Sequence, residues 1–188
     1  MRTAYIGMGG NLASKAGAPD ATLAAAASRL ESLGHVTRRS SLYSTEPVGY
    51  FAQPRFVNAV VELASDLTPR LLLEGLLAIE KEFGRDRSAG VANGPRTLDL
   101  DILLIEDVCV DEPDLQIPHP RLAERAFVLV PLNEIAPQIV DARSGHAVSQ
   151  LLNAFPKRSE NETDAAVVPI QTDVWRPHPC AAGALRRD

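Results

Sequence analysis

His35-Val36-Thr37-Arg38-Arg39-Ser40-Ser41-Leu42-Tyr43-Ser44, Thr45-Glu46-Pro47-Val48-Gly49-Tyr50-Phe51-Ala52-Gln53-Pro54-Arg55 and Phe56-Val57-Asn58-Ala59-Val60-Val61-Glu62-Leu63-Ala64-Ser65 form the stretch that decides the fold. The first part, rich in β-branched and polar residues, predicts a strand. The second holds two prolines and a glycine and predicts a loop, long enough to be functional rather than a connector. The third alternates. Val57, Ala59, Val61 and Leu63 share one strand face, and Phe56, Asn58, Val60 and Glu62 share the other. Two successive strands are therefore joined by a loop and not by a helix.

Thr3 to Met8 predicts a buried strand, with Gly7, Gly9, Gly10 and Asn11 forming a turn after it. It is not a dinucleotide fingerprint, because Leu12 stands where the third glycine belongs. Asp20 reads as the cap of a helix to about Leu33, with Leu23, Ala26, Ala27, Leu30 and Leu33 at helical spacing and Gly34 closing it. Thr68-Pro69 is a cap and first-turn pair for a helix that runs to about Phe83 and stops at Gly84. Arg85 to Arg96 is a loop, and Thr97 to Ile105 a strand. The order β-α-β-β-α-β is the split pattern of a ferredoxin-like sandwich, an α+β fold with a mainly antiparallel sheet and helices packed on one face. Beyond it come a turn at Pro118 to Arg125, a short helix over Ala126 to Ile135 interrupted near Pro131, and a last helix over Val148 to Phe155. From residue 156 the composition turns to Asn, Glu, Thr, Pro, Ala and Arg without a sustained period. Residues 1–155 are thus expected to form the folded domain, and 156–188 a C-terminal tail of low order.

The 188 residues carry 19 basic and 24 acidic side chains, a net charge of −5, which argues against a nucleic-acid partner. No apolar run approaches the roughly 20 residues of a membrane span, and the first residues enter a strand pattern without a signal segment. Two isolated cysteines, Cys109 and Cys180, make neither a disulfide framework nor a zinc site. A cytoplasmic monomer is the expectation. Lysine occurs only at 15, 81 and 157, never in a P-loop motif, so 16 of the basic residues are arginines. Phosphate chemistry here must use arginine, metal or backbone amides.

The strongest local feature is Arg96-Thr97-Leu98-Asp99-Leu100-Asp101-Ile102. On a strand, Asp99 and Asp101 project from one face. Two neighbouring carboxylates repel, and a divalent cation such as Mg²⁺ relieves this while binding substrate phosphates. The alternative is a solvated edge strand. Arg85, Arg87, Arg96, Arg121 and Arg125 flank the pair in sequence. They suit phosphate oxygens by bidentate contact, the alternative being surface pairing with Glu80, Glu82, Asp86 and Glu124. Pro118-His119-Pro120 fixes a histidine on a rigid turn, for a phosphate contact or a structural role. Phe56 and Asn58, with Phe127 as a second ring, suit a flat heterocycle, although the phenylalanines could equally be core.

Together these residues resemble the 6-hydroxymethyl-7,8-dihydropterin pyrophosphokinase family (2-amino-4-hydroxy-6-hydroxymethyldihydropteridine diphosphokinase). The resemblance runs from about Thr3 to Phe155. It is carried by Ala4-Tyr5-Ile6-Gly7-x-Gly9-x-Asn11-Leu12, Tyr43-x-Thr45-x-Pro47-x-Gly49, Gln53-Pro54-x-Phe56-x-Asn58, Phe83-Gly84-Arg85-x-Arg87, Gly94-Pro95-Arg96-Thr97-Leu98-Asp99-Leu100-Asp101, Pro118-His119-Pro120-Arg121 and Glu124-Arg125-Ala126-Phe127. Gly10 stands where serine is usual, and Asn93 where some members carry tryptophan. The resemblance implies Mg²⁺-dependent, in-line transfer of diphosphate from ATP to the pterin's hydroxymethyl group in folate biosynthesis, with mobile loops closing over both substrates. It implies that Asp99 and Asp101 hold two Mg²⁺ ions and that Arg85 and Arg96 act on the phosphates. Glu80, Arg87, Ile102, His119, Arg121 and Arg125 would contact the nucleotide. Thr45, Pro47, Val48, Phe56, Asn58 and Phe127 would form the pterin pocket. The rival readings are a metal-dependent phosphohydrolase and a ligand-sensing module without turnover.

Overall fold

Phe56–Ser65 (β4) runs through the middle of the sheet in the computed structural model, which describes residues 1–86, 93–156 and 167–177. On one side β4 pairs antiparallel with β1 (Arg2–Gly10). On the other it pairs with β2 (His35–Arg39) and β3 (Leu42–Thr45). The single strand expected over 35–44 is therefore broken, and Ser40 shows why. Its N–H donates to Val60 O at 3.0 Å, and its Oγ accepts from Val60 N–H at 3.0 Å. A hydroxyl stands in for a backbone carbonyl, so the ladder survives while the chain bulges.

β5 (Asp99–Ile105) pairs antiparallel with β1, and β10 (Val168–Ile170) with β3, giving the order β10-β3-β4-β1-β5. The four-strand core is the ferredoxin-like arrangement read from the sequence. Helices α1 (Pro19–Leu30) and α2 (Pro69–Glu82) cover one face, burying Leu23, Leu30, Leu72 and Leu76 against Ile6, Val61, Leu63 and Leu100. Thr68 Oγ1 accepts from Leu71 N–H at 3.3 Å and Pro69 opens α2, as expected. In α1 the cap position falls on Ala18, and Asp20 sits in the first turn. The helix ends at Leu30. Gly34 is required by close approach, since a Cβ there would lie 2.4 Å from Ala64 O.

The second face is also covered, unlike the one-sided sandwich expected. Helices α3 (Ala126–Ile135) and α4 (Val148–Ala154) build a second core, in which Val128, Leu129, Leu132 and Ile135 meet Tyr5, Val60, Leu103 and Leu104. α3 is continuous through Pro131, because burial of its apolar side outweighs the one ladder bond that the ring removes. Two short hairpins lack a pattern long enough to read from sequence: β6 (Val110–Glu112) with β7 (Leu115–Ile117), and β8 (Val140–Asp141) with β9 (His146–Ala147).

Residues 167–177 correct the expectation of a low-order tail for that part of it. β10 covers the outer edge of β3, and Trp175 is 4% exposed within the main core. The opposite edge is also covered. On β5, Leu100 N–H donates to Glu80 Oε1 at 2.8 Å, and Leu103 O accepts from His119 N–H at 2.8 Å. Both coverings satisfy backbone groups that a bare edge leaves open. Among the described residues, no helix is long and apolar enough to cross a membrane.

Candidate active site

Two glycines on β1 make the floor of the site. Gly7 lies opposite Asp101 and Gly9 opposite Asp99 across the β1–β5 ladder, while Gly9 also faces Asn58 on β4. A Cβ on Gly9 would sit 2.8 Å from Asn58 Oδ1, and one on Gly7 3.1 Å from Leu103 Cδ2. The missing side chains leave a cleft of about 770 Å³ above the sheet. Since residues opposite each other in a ladder share a face, the aspartates and the Phe56–Asn58 pair open onto one cleft.

At the β5 end the cleft is densely charged. Asp99 Oδ1 lies 3.4 Å from Arg85 Nη2, and Asp99 Oδ2 lies 3.0 Å from Arg96 Nε. Asp101 Oδ2 lies 3.7 Å from Arg125 Nη1. The Arg85 and Arg96 Nε–H groups are buried without a hydrogen-bond acceptor, so the Arg96–Asp99 approach is an ion pair by distance and not an aligned bond. Burial lowers the pKa of Arg125 from its usual value, with Asp101 opposing. His119 Nδ1 accepts from Arg121 N–H at 3.0 Å, which leaves the ring proton on Nε2. Burial first, then the charges of Arg125, Arg121 and Arg143, push its pKa down from 6.5 to about 4. The imidazole is thus neutral at pH 7, with its N–H on Nε2.

At the β3–β4 end, Asn58 Nδ2 donates to Thr45 Oγ1 at 2.7 Å, with both residues buried. This fixes the amide's orientation. The Arg96 guanidinium lies 4.6 Å from the centre of the Phe56 ring, and that of Arg125 5.7 Å from the Phe127 ring. The charged and aromatic ends are therefore in direct contact. The two loops above them are tied by Asn11. Its Oδ1 accepts from Arg96 N–H at 2.8 Å, and its Nδ2 donates to Gln53 Oε1 at 3.0 Å. Gln53 Nε2 in turn donates to Asn93 O at 2.8 Å.

Most of the expected site residues meet here: Thr45, Val48, Phe56, Asn58, Arg85, Arg96, Asp99, Asp101, His119, Arg121, Arg125 and Phe127 all line the cleft. Three do not. Pro47 is buried in its loop. Ile102 turns into the core beneath α1 and α2. Glu80, 1% exposed, spends its carboxylate on Leu100 N–H, and it borders a separate recess with Leu77, Lys81, Arg85 and Asp86. Arg87 lies outside the described residues. Glu46, Phe155, Pro156 and Val167 also line the cleft. No chemical motif marks them, and only the tertiary fold brings them in.

Two adjacent carboxylates over a glycine floor, with arginine Nε–H groups beside them that make no hydrogen bond, fit a divalent cation whose remaining ligands are phosphate oxygens. Among the described residues no cluster of three or more acidic, His or Cys side chains exists, so an all-protein metal cage is not what the site offers.

Residues 5–137 match the family described as 7,8-dihydro-6-hydroxymethylpterin-pyrophosphokinase, or HPPK. The chain belongs to this family. By family it is an enzyme, a pyrophosphokinase, and so a transferase. It is similar to the 2-amino-4-hydroxy-6-hydroxymethyldihydropteridine pyrophosphokinase of Pseudomonas aeruginosa, 42% identical over 154 residues that cover 81% of this chain and 91% of that protein. The enzyme of the same name from Haemophilus influenzae is 40% identical over 157 residues, covering 82% and 94%. A folate synthesis bifunctional protein of Arabidopsis thaliana is 49% identical over 100 residues, 53% of this chain and 20% of that one. Among solved structures, Plasmodium falciparum HPPK-DHPS with pteroate superposes with a TM-score of 0.62 at 14% identity, covering 81% of this chain and 44% of that one. That likeness speaks for the fold. The chain spans less than half of the solved protein's length.

Proposed function

We propose that the chain transfers the terminal diphosphate of ATP to the hydroxymethyl group of 6-hydroxymethyl-7,8-dihydropterin, giving the pterin diphosphate and AMP in folate biosynthesis. The observation that carries this reading is the single cleft in which Asp99, Asp101 and three arginines meet Phe56, Asn58 and Phe127.

The heterocycle would stack between Phe56 and Phe127, with the oriented Asn58 amide on its polar edge. Arg85, Arg96 and Arg125 would turn from the aspartates to phosphate oxygens, where planar guanidinium groups bind bidentately. His119 Nε2–H and Arg121 would hold the outer phosphates. Asp99 and Asp101 would hold Mg²⁺, two ions by the family resemblance, which supplies charge neutralisation and acidifies the attacking hydroxyl. The hydroxymethyl oxygen attacks the β-phosphorus, and the bond from that phosphorus to the α–β bridging oxygen breaks. AMP departs with the bridging oxygen, and the hydroxyl proton leaves to solvent. Burying the charged end in a cleft strengthens each contact to the charge that develops. Every group invoked comes from one chain, so a monomer suffices, and the need for ATP is consistent with the cytoplasm.

Incubation with ATP, Mg²⁺ and the pterin, followed by mass analysis, tests the reading. AMP and a pterin diphosphate are expected. ADP with phosphate would favour a phosphohydrolase instead, and pterin binding without any Mg²⁺-dependent product would favour a sensing module.

A further inference from the structure

The family match ends at residue 137, yet the cleft does not. Phe155, Pro156 and Val167 line it together with Thr45, Asn58 and Phe127. Residues 168–170 add β10 to β3, in the register Val168↔Ser44, Pro169↔Tyr43 and Ile170↔Leu42. One residue before Val168 the chain reaches the cleft wall at half-buried Val167. One residue after Ser44 comes Thr45, the partner of Asn58. β10 thus lies along the strand that carries one wall of the heterocycle pocket. Pro169, which has no N–H, suits its place on the outermost strand.

The segment is anchored at its far end. Trp175 is 4% exposed, and its Nε1–H donates to Ser40 O at 2.7 Å, at the bulge between β2 and β3. The Arg39 guanidinium lies 5.6 Å from the Trp175 ring centre, and Thr172 Oγ1 donates to Asp20 Oδ2 at 2.9 Å. Ile170 packs on the main core. These contacts offset the conformational entropy that each ordered residue forfeits, so the segment is held in place rather than trailing. In the sheet, β4 and β1 separate β3 from β5, so the anchored segment serves the heterocycle end and not the aspartate end.

We infer that residues 167–177 are a positioning strap that sets affinity for the pterin. Trp175 fixes the strap, β10 holds β3 in place, and Val167 completes the pocket wall beside Thr45 and Asn58. The inference rests on the proposed function and goes beyond it in assigning part of the pterin pocket to a segment outside the family match.

The test compares KM for each substrate, and kcat, across full-length wild type, Val167→Asp, Trp175→Ala and Trp175→Phe. A charge on the apolar wall in Val167→Asp, or release of the strap in Trp175→Ala, should raise KM for the pterin about tenfold. KM for ATP should move less than about twofold, because ATP meets the other end of the cleft. Trp175→Phe keeps an aromatic ring in the core but loses the Ser40 bond and part of the indole packing, so it should recover part of the affinity. Val167 is at the surface of the cleft, so that variant reads the wall even if Trp175→Ala fails to fold. A wild type that turns over the pterin, with unchanged pterin KM in Val167→Asp, overturns the strap alone. Equal shifts in the KM of both substrates overturn it too. Absence of pterin turnover in wild type overturns both the strap and the proposed function.

Discussion

Replacing Glu80 by alanine should destabilise the protein by about 3 kcal/mol and slow the reaction, although Glu80 does not line the cleft. The carboxylate is 1% exposed, and its Oε1 accepts from Leu100 N–H at 2.8 Å. β5 is the last strand on its side of the sheet, and Leu100 is 2% exposed, so neither a further strand nor water can take over the bond. An orphaned buried N–H costs about 1–3 kcal/mol. The lost side-chain methylene adds about 1 kcal/mol. Leu100 sits between Asp99 and Asp101, so slackening at this point displaces both carboxylates. Glu80→Gln keeps a carbonyl acceptor for Leu100 N–H and gives up the charge assistance of that bond, about 1 kcal/mol. Urea unfolding of the three proteins, with kcat and KM for ATP on each, checks this. An alanine variant within about 0.5 kcal/mol of wild type would refute the reasoning. So would a raised KM for ATP with stability unchanged, the signature of a nucleotide contact.

Asp99→Ala and Asp101→Ala should each lower kcat at least about a hundredfold at saturating Mg²⁺, whereas Asn58→Ala should chiefly raise KM for the pterin, and steady-state kinetics separates the two. His119 has its pKa depressed from 6.5 to about 4, so the unfolded chain binds the extra proton between those values. Its contribution to stability is full above pH 6.5 and is lost as pH falls toward 4. After discounting for partial exposure it amounts to about 1–2 kcal/mol, and urea midpoints should fall less steeply over that range in His119→Gln. Gly10→Ala should lower stability by about 1–3 kcal/mol, since its Cβ would meet Thr97 O at 2.4 Å, and thermal melting reads this directly.

The fold core was legible because its signals are local and periodic. The alternation in Phe56–Ser65, the Thr68-Pro69 cap and the loop between two strands were enough to order the elements. The aspartate pair was legible for the same reason, since a period of two places Asp99 and Asp101 on one face of any strand. That this face is also the Phe56–Asn58 face depends on the Gly9↔Asn58 and Gly9↔Asp99 registers, which no single strand encodes. The bulge at Ser40 depends on one hydroxyl meeting Val60 N–H, a long-range event without a sequence period. Glu80 and Trp175 illustrate the same limit. One is an acid whose acceptor role is set by an edge strand, the other a lone aromatic in a polar stretch. Pro131 misled in the opposite direction, because a helix buried on one side tolerates a proline that an exposed one would not.

The most direct measurement follows the phosphorus atoms. Wild-type protein with Mg²⁺ and the pterin would be given ATP labelled at the α-phosphorus in one reaction and at the β-phosphorus in another. Transfer of an intact diphosphate by the Asp99–Asp101 site predicts β-label in the pterin product and α-label in AMP. Label from the β-position remaining in ADP, or α-label reaching the pterin, would contradict it.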